Sequence, residues 1–172
     1  MSSATVKIEG LPELIRALRN NANLAQPMSK ALHRIGLEGS SASKKRAPVD
    51  TGLLRGRITY EVDKSPLPTF VRIGTLGSGK VNYAAYMEFG TGLVHDHPSW
   101  PRKPHIVPGG VLQKWAKRKS RGGDDFNGWT VAKAITARGG LRPRRYLRDP
   151  FEAMRSRYVR LLKAAVKEAS LG

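Results

Sequence analysis

Residues 47–55 read Ala47-Pro48-Val49-Asp50-Thr51-Gly52-Leu53-Leu54-Arg55 and are dense in side chains that fix backbone geometry. Pro48 presets its own φ and disfavours the helical region for the residue before it, so a preceding helix should end at this point. Asp50 and Thr51 can accept bonds from nearby backbone N–H groups, and Gly52 can adopt positive φ. The stretch therefore predicts a structural turn made by Pro48, Asp50, Thr51 and Gly52, which closes a long helix and leads into a strand.

The sequence before this turn has helical periodicity, with apolar side chains at Met28, Ala31, Leu32 and Ile35. The helix should begin near Pro27. It should end in Lys44, Lys45 and Arg46, because cations suit the negative end of a helix dipole. A role for these cations in binding a partner is an equally open alternative.

The sequence after the turn alternates in the manner of strands. Apolar side chains occur at Ile58, Tyr60 and Val62, and again at Phe70, Val71 and Ile73, which predicts a hairpin. Residues 83–89 fit a short helix or a strand, and Gly90 should end that element.

The last helix has both a start signal and an apolar stripe. Asp149 should be the N-cap, with Pro150 at the first helical position and Glu152 completing an arrangement like a capping box. Its apolar stripe comprises Phe151, Met154, Tyr158, Leu161, Leu162, Ala165 and Val166. We expect its basic side to be solvated.

Composition limits the classes of protein to consider. The chain of 172 residues has 31 Lys and Arg against 13 Asp and Glu, a net charge of +18. This excess predicts an acidic partner, which would be nucleic acid, a membrane or an acidic protein.

The chain has no cysteine, so disulfides and thiolate metal sites are excluded. It has neither a long apolar run nor a signal core, so we expect a cytoplasmic location before any assembly.

Residues 93–140 differ in character from the rest. Prolines interrupt them, and residues 102–121 include seven basic side chains and no acidic one. Short helices are predicted around Val111–Trp115 and around Trp129–Ile135, the second closed by Gly139 and Gly140. We expect one domain over residues 1–172, with approximately 93–140 as an inserted loop or arm.

Several of these segments together resemble a known family. They are residues 47–55, Ile58, Tyr83–Thr91, Arg142–Phe151 and the opening Ile8–Leu14. The chain resembles the neck and tail-completion proteins of tailed bacteriophages (head–tail joining, gene-product-ten-like) over most of residues 6–92 and 141–169. It departs from the family's pattern at Arg57, where a small polar residue is usual, and in the length of the segment 93–140.

The resemblance implies an α+β fold in which an antiparallel sheet is flanked by a long N-terminal helix and an amphipathic C-terminal helix. The inserted basic arm predicted above is an addition of this chain to that fold. It implies a virion structural protein, without catalysis or a cofactor, that forms a ring of sixfold symmetry joining head to tail. Its partners would be further copies of itself, adjoining neck or tail-tube proteins and genomic DNA in the channel, without a membrane.

Two sets of side chains are candidates for these contacts. The candidate interface residues are Arg55, Tyr83, Tyr86, Glu88, Phe89, Trp115, Arg145 and Tyr146. The candidate contacts to DNA or an acidic partner are Arg102, Lys103, Lys114, Lys117, Arg118, Lys119 and Arg121. Cations with the interleaved aromatics Trp100 and Trp115 suit a phosphate backbone and unpaired bases.

Two other classes of function stay open. One is a sequence-independent nucleic-acid-binding protein outside the virion. The other is an enzyme, for which residues 74–80 match most of a phosphate-binding loop. Val81 stands where Ser or Thr should hold magnesium, which favours a flexible glycine loop over a nucleotide site. His95, Asp96, His97 and His105 are of the residue types that bind metals, but their place in a proline-rich stretch favours a polar loop over a metal site.

Overall fold

The computed structural model describes residues 24–76, 83–119 and 127–170. The opening segment Ile8–Leu14, which is part of the family resemblance, lies outside the described residues. The chain divides into two compact units. The first unit comprises residues 1–84 and 146–172, and the second comprises residues 85–145. The expectation of a single domain with an inserted arm stays a prediction.

The first unit is built on a long helix, α1, Ala25–Arg46. Its last turn holds the three predicted cations, and Ala47 has ψ 132°, so the helix ends where the proline requires. Its buried side chains include Met28, Leu32 and Ile35, each 0% exposed. The predicted helix and its apolar stripe are confirmed.

The turn after α1 leads into a short helix, α2, Leu53–Arg57, and not directly into a strand as the sequence predicted. Gly52 has φ 83°, the positive value expected of it, and its carbonyl accepts the Gly56 N–H at 2.8 Å. Leu54 is 2% exposed. One additional helical turn therefore buries Leu54 before the strand begins.

A two-stranded antiparallel sheet follows, with β1 at Ile58–Val62 and β2 at Val71–Thr75. Ile58 pairs with Thr75 and Val62 with Val71, so the predicted hairpin is confirmed. The Asp63 carboxylate accepts bonds from Ser65 and Thr69 in the connecting loop, and the bond from the Ser65 hydroxyl leads the causes that lower its pKa.

Helix α1 contacts both strands through its glycines. A Cβ at Gly39 would lie 2.5 Å from Ile73 Cδ1, and one at Gly36 would collide with the Tyr60 ring. These glycines interrupt the apolar stripe in the sequence because the helix approaches the hairpin too closely there for a larger side chain.

The C-terminal helix, α6, Arg148–Ser170, packs along α1. Tyr158, Leu162, Ala165 and Ala169 are buried on its inner side, so the predicted stripe is confirmed. The helix begins at Arg148, so Asp149 lies in the first turn and is not the N-cap. There its carboxylate pairs with Arg46 at 3.0 Å.

The regular secondary structure described in the second unit is helical, and irregular segments join its helices. Helix α3 spans Ala84–Phe89, which resolves the open choice between helix and strand. A 3₁₀ helix at Gly109–Leu112 runs into α4, Gln113–Lys119. Helix α5 spans Gly128–Ala137, and its N-cap Asn127 accepts the Thr130 N–H at 2.9 Å. The described residues form an α+β fold with a two-stranded antiparallel sheet, a long helix toward the N-terminus and another at the C-terminal end, as expected.

Candidate functional site

Two glycine-rich segments of the second unit lie directly against each other. Thr91 donates its N–H to the Leu141 carbonyl at 2.8 Å, and Leu141 donates to Thr91 Oγ1 at 2.9 Å. Leu93 donates to the Gly139 carbonyl at 2.8 Å. We call residues 90–93 with residues 139–143 the glycine joint. It brings together two segments that the sequence separates by almost fifty residues.

Glycine is required in this joint for two reasons. Gly90, Gly92 and Gly139 have φ between 72° and 79°, which favours glycine, and Gly140 has φ 151°. A Cβ at Gly92 would also collide with the Gly139 carbonyl oxygen, and one at Gly140 with that of Thr91. The two backbones therefore touch without side chains between them.

The residues after the joint complete the end of α3. The N–H groups of Arg144 and Arg145 donate to the carbonyls of Met87 and Glu88 at 2.9 and 3.2 Å. These bonds satisfy carbonyls that a helix end leaves without a helical partner. Arg145 has φ 47° and its side chain pairs with Asp96 at 2.8 Å. Two predicted interface residues, Glu88 and Arg145, thus meet through their backbones.

Five aromatic rings form a cluster next to this joint, and we call them the aromatic cluster: Tyr86, Phe89, His95, His97 and Trp100. Trp100 is its centre. The His97 ring stacks on Trp100 with centroids 4.3 Å apart and planes 14° apart. Tyr86 contacts Trp100 at 5.4 Å and is itself 51% exposed. The cluster therefore presents a supported aromatic surface.

The two histidines of the cluster hold the loop through backbone bonds. His95 Nδ1 accepts the His97 N–H, and His97 Nδ1 accepts the Ser99 N–H, both at 3.2 Å. His95 is 4% exposed, and its Nε2 has no hydrogen-bond partner among the described residues. Within these same residues, no group of three or more His, Asp or Glu is placed to bind a metal ion.

The predicted interface residues divide into exposed and buried sets. Tyr83 is 41% exposed, and Arg55 is exposed on α2. Glu88 and Tyr146 are 1% and 0% exposed, so their side chains lie inside the fold and not on its surface. The Tyr146 hydroxyl donates to the Ala84 carbonyl at 3.3 Å. Trp115 is half-buried on α4.

Most of the predicted phosphate contacts are exposed. Arg102 and Lys103 lie in an irregular segment before the 3₁₀ helix, and α4 exposes Lys114, Lys117, Arg118 and Lys119. Arg121 lies outside the described residues, as do residues 77–82 of the predicted phosphate-binding loop.

An ion network between α1 and α6 was not predicted. Glu38 accepts from Arg157 at 2.7 and 2.8 Å, one bond to each carboxylate oxygen, and from Arg34 at 3.2 Å. The bond from Arg157 is the main cause that lowers the pKa of Glu38 from 4.5 to about 2. The spacing of Arg34 and Glu38 is a helical signal, but Arg157 is 119 positions away from Glu38.

Comparisons of the chain with known protein families, with curated proteins and with solved structures find no match. Of the helices in residues 24–170 that the structure describes, none has both the length and the apolar content needed to cross a bilayer.

Proposed function

We propose that this chain is a structural subunit of the neck or upper tail of a tailed bacteriophage. Copies of it would form a closed ring that joins head to tail and lets the genome pass. The ring would be sixfold to match a tail tube, and its neighbours would be further neck or tail-tube proteins. The chain would act by shape and contact, as a virion component.

The observation that carries this proposal is the direct backbone pairing of the glycine joint beside the aromatic cluster. Both segments of the joint belong to or border the stretches that resemble the phage family, Tyr83–Thr91 and Arg142–Phe151. Their backbones are fixed by direct hydrogen bonds and by glycines that admit no larger residue. Such construction preserves a shape.

The exposed part of this cluster suits a contact between proteins. Tyr, Trp and Arg are enriched at the energetic centres of protein interfaces. Tyr86 rests on Trp100, and the adjacent Arg145 is held by Asp96 at 2.8 Å. Because these contacts already restrain the side chains in the single subunit, association would lose less conformational freedom.

The test is the assembly state of the purified chain and of two variants. Native mass spectrometry and electron microscopy of the unaltered protein should show rings with a central hole. Tyr86→Ser removes the exposed ring of the cluster and should shift the protein to monomers. Ile106→Ser is the matched control, because Ile106 is 73% exposed in the same unit and lies outside the aromatic cluster.

A protein that stays monomeric at its highest soluble concentration would contradict a ring that assembles unaided. Rings of equal abundance in both variants would show that Tyr86 is not an anchor. Nucleotide hydrolysis or nucleic-acid cleavage abolished by a single substitution in an intact fold would replace the proposal with an enzyme.

A further inference from the structure

The second unit carries an excess of positive charge. Residues 85–145 contain twelve Lys and Arg but only four Asp and Glu. Of the acidic residues that the structure describes there, Glu88 is 1% exposed and Asp96 pairs with Arg145. The other two, Asp124 and Asp125, lie outside the described residues. The described surface of this unit therefore presents cations to solvent with little compensating negative charge.

Five of these twelve cations lie on two helices that contact each other, α4 and α5. Neither helix contains an acidic residue. Lys114 and Lys117 are exposed one turn apart on α4, and Lys133 is exposed on α5. None of these three forms an ion pair with another described residue. Arg118 and Lys119 are also exposed on α4, but each has an interaction within the protein, so the inference does not rest on them.

An exposed tryptophan accompanies the cations. Trp129 is 64% exposed in the first turn of α5, one helical turn before Lys133. The inner face of α5 is occupied by Ala132 and Ile135, which are 2% and 9% exposed. Trp129, in contrast, points to solvent. Its ring face is therefore available to a partner.

We call the exposed side chains Lys114, Lys117, Trp129 and Lys133 the α4–α5 face. We infer that this face binds single-stranded nucleic acid without sequence preference. Lys114, Lys117 and Lys133 neutralise phosphates, and the Trp129 ring stacks on an unpaired base. Charged groups with an exposed aromatic ring are the usual means by which proteins hold single strands, because every base has a face that can stack. A duplex offers the same phosphates but keeps its bases stacked, so it should bind more weakly. This inference does not depend on ring formation.

The test measures binding of the full chain to fluorescent oligo-dT and to a duplex of the same length. One variant combines Lys114→Gln, Lys117→Gln and Lys133→Gln. Its control combines Arg155→Gln, Arg160→Gln and Lys163→Gln, which removes the same charge from exposed positions on α6. Circular dichroism checks that each variant is folded.

The first variant should lose at least about tenfold in affinity for the single strand at moderate salt. Its logarithmic salt slope should fall by about 2, since each lost phosphate contact on a single strand lowers the slope by about 0.7. The control should lose much less. Equal losses in the two variants would mean that net charge alone drives binding, and the inference would be wrong.

Trp129→Ala should weaken single-strand binding by about fivefold or more and leave duplex binding nearly unchanged. An unchanged affinity for the single strand would refute the stacking.

Poly-glutamate is a competitor that stands in for an acidic protein. If it displaces the oligonucleotide at an equal concentration of negative charge, the face would be assigned to an acidic protein. Rings without DNA binding would overturn this inference alone, and DNA binding by a persistent monomer would overturn only the ring proposal.

Discussion

At the scale of single residues, position decides what a glycine does in this chain. Gly52 and Gly92 have similar φ, 83° and 72°. A Cβ at Gly52 would meet nothing within 4 Å, whereas one at Gly92 would collide with the Gly139 carbonyl. The first glycine is needed for its backbone conformation alone. The second is also needed because another backbone occupies the space of a side chain.

We therefore expect Gly92→Ala to destabilise the second unit by about 3 kcal/mol or more, since a strained φ and a backbone collision each cost about 1 to 3 kcal/mol. Urea unfolding followed by tryptophan fluorescence measures this. All three tryptophans, Trp100, Trp115 and Trp129, lie in residues 85–145, so this signal reports that unit.

Two substitutions calibrate the result. Gly110→Ala places a Cβ in open space at an ordinary φ and should change stability by no more than about 0.5 kcal/mol. Gly52→Ala bears the conformational cost alone, about 1 to 2 kcal/mol, and should act on the first unit, so its unfolding is followed by the far-ultraviolet circular dichroism of α1 and α6. A Gly92→Ala protein as stable as Gly110→Ala would contradict the close approach of the two segments.

At the scale of elements, α1 and α6 are held together by apolar packing and by ion pairs, the most extensive of which is the network around Glu38. The Glu38 carboxylate is 21% exposed, and Arg157 binds both its oxygens. Two parallel bonds fix the geometry of a pair more firmly than one. The Arg46–Asp149 pair joins the same helices but through a single bond, with both side chains near half exposed.

The Glu38 network predicts a pH dependence of stability. The pKa of Glu38 is depressed from 4.5 to about 2 in the folded protein, so its contribution is present above pH 4.5 and is lost as pH falls toward 2. Glu38→Gln should lower the free energy of unfolding by about 1 kcal/mol at neutral pH, the upper range for a partly exposed pair. Far-ultraviolet circular dichroism in urea at several pH values measures the difference.

That difference should shrink between pH 4.5 and 2, where the unaltered carboxylate also becomes protonated. Asp149→Asn is the matched control between the same helices and should have a smaller effect. A difference between Glu38→Gln and the unaltered protein that is constant down to pH 2 would rule out titration of Glu38 as its source.

Elements with continuous local patterns were predictable from the sequence. Helix α1, the hairpin and α6 each repeat an apolar period over several turns or along both strands, and local periodicity is the signal that sequence reasoning uses. Residues 83–89 were undecided because six helical residues give less than two turns of pattern. Helix α2 was missed for the same reason, being five residues long.

The candidate site was predictable only in its parts. Glu88, Phe89 and Arg145 were named from sequence, but the glycine joint depends on hydrogen bonds between Thr91 and Leu141, 50 positions apart. No local pattern encodes that pairing. The sequence does show closely spaced glycines at 90 and 92 and again at 139 and 140. Such glycines indicate that another backbone comes close, but they do not identify which segment of the chain it belongs to.

At the scale of the whole molecule, residues 85–145 interrupt a unit formed by the rest of the chain. The first unit has its own buried side chains from both sides of this interruption, including Leu32 and Ile35 on α1 and Tyr158 and Leu162 on α6. The Tyr146 hydroxyl bonds the Ala84 carbonyl at 3.3 Å, so the two ends of the interruption lie close together.

We therefore expect the first unit to fold when residues 85–145 are replaced by a short Gly-Ser linker, because a short flexible loop closes two neighbouring ends at small entropic cost. The shortened protein should retain the helical circular dichroism of α1 and α6 and unfold in one cooperative transition. It should also lose affinity for oligo-dT and lose ring formation, since the α4–α5 face and Tyr86 are removed.

Adding Leu162→Ala to the shortened protein should lower its stability by about 2 to 5 kcal/mol, as for any large buried side chain. A shortened protein without cooperative unfolding would show instead that the core of α1, the hairpin and α6 depends on the inserted residues.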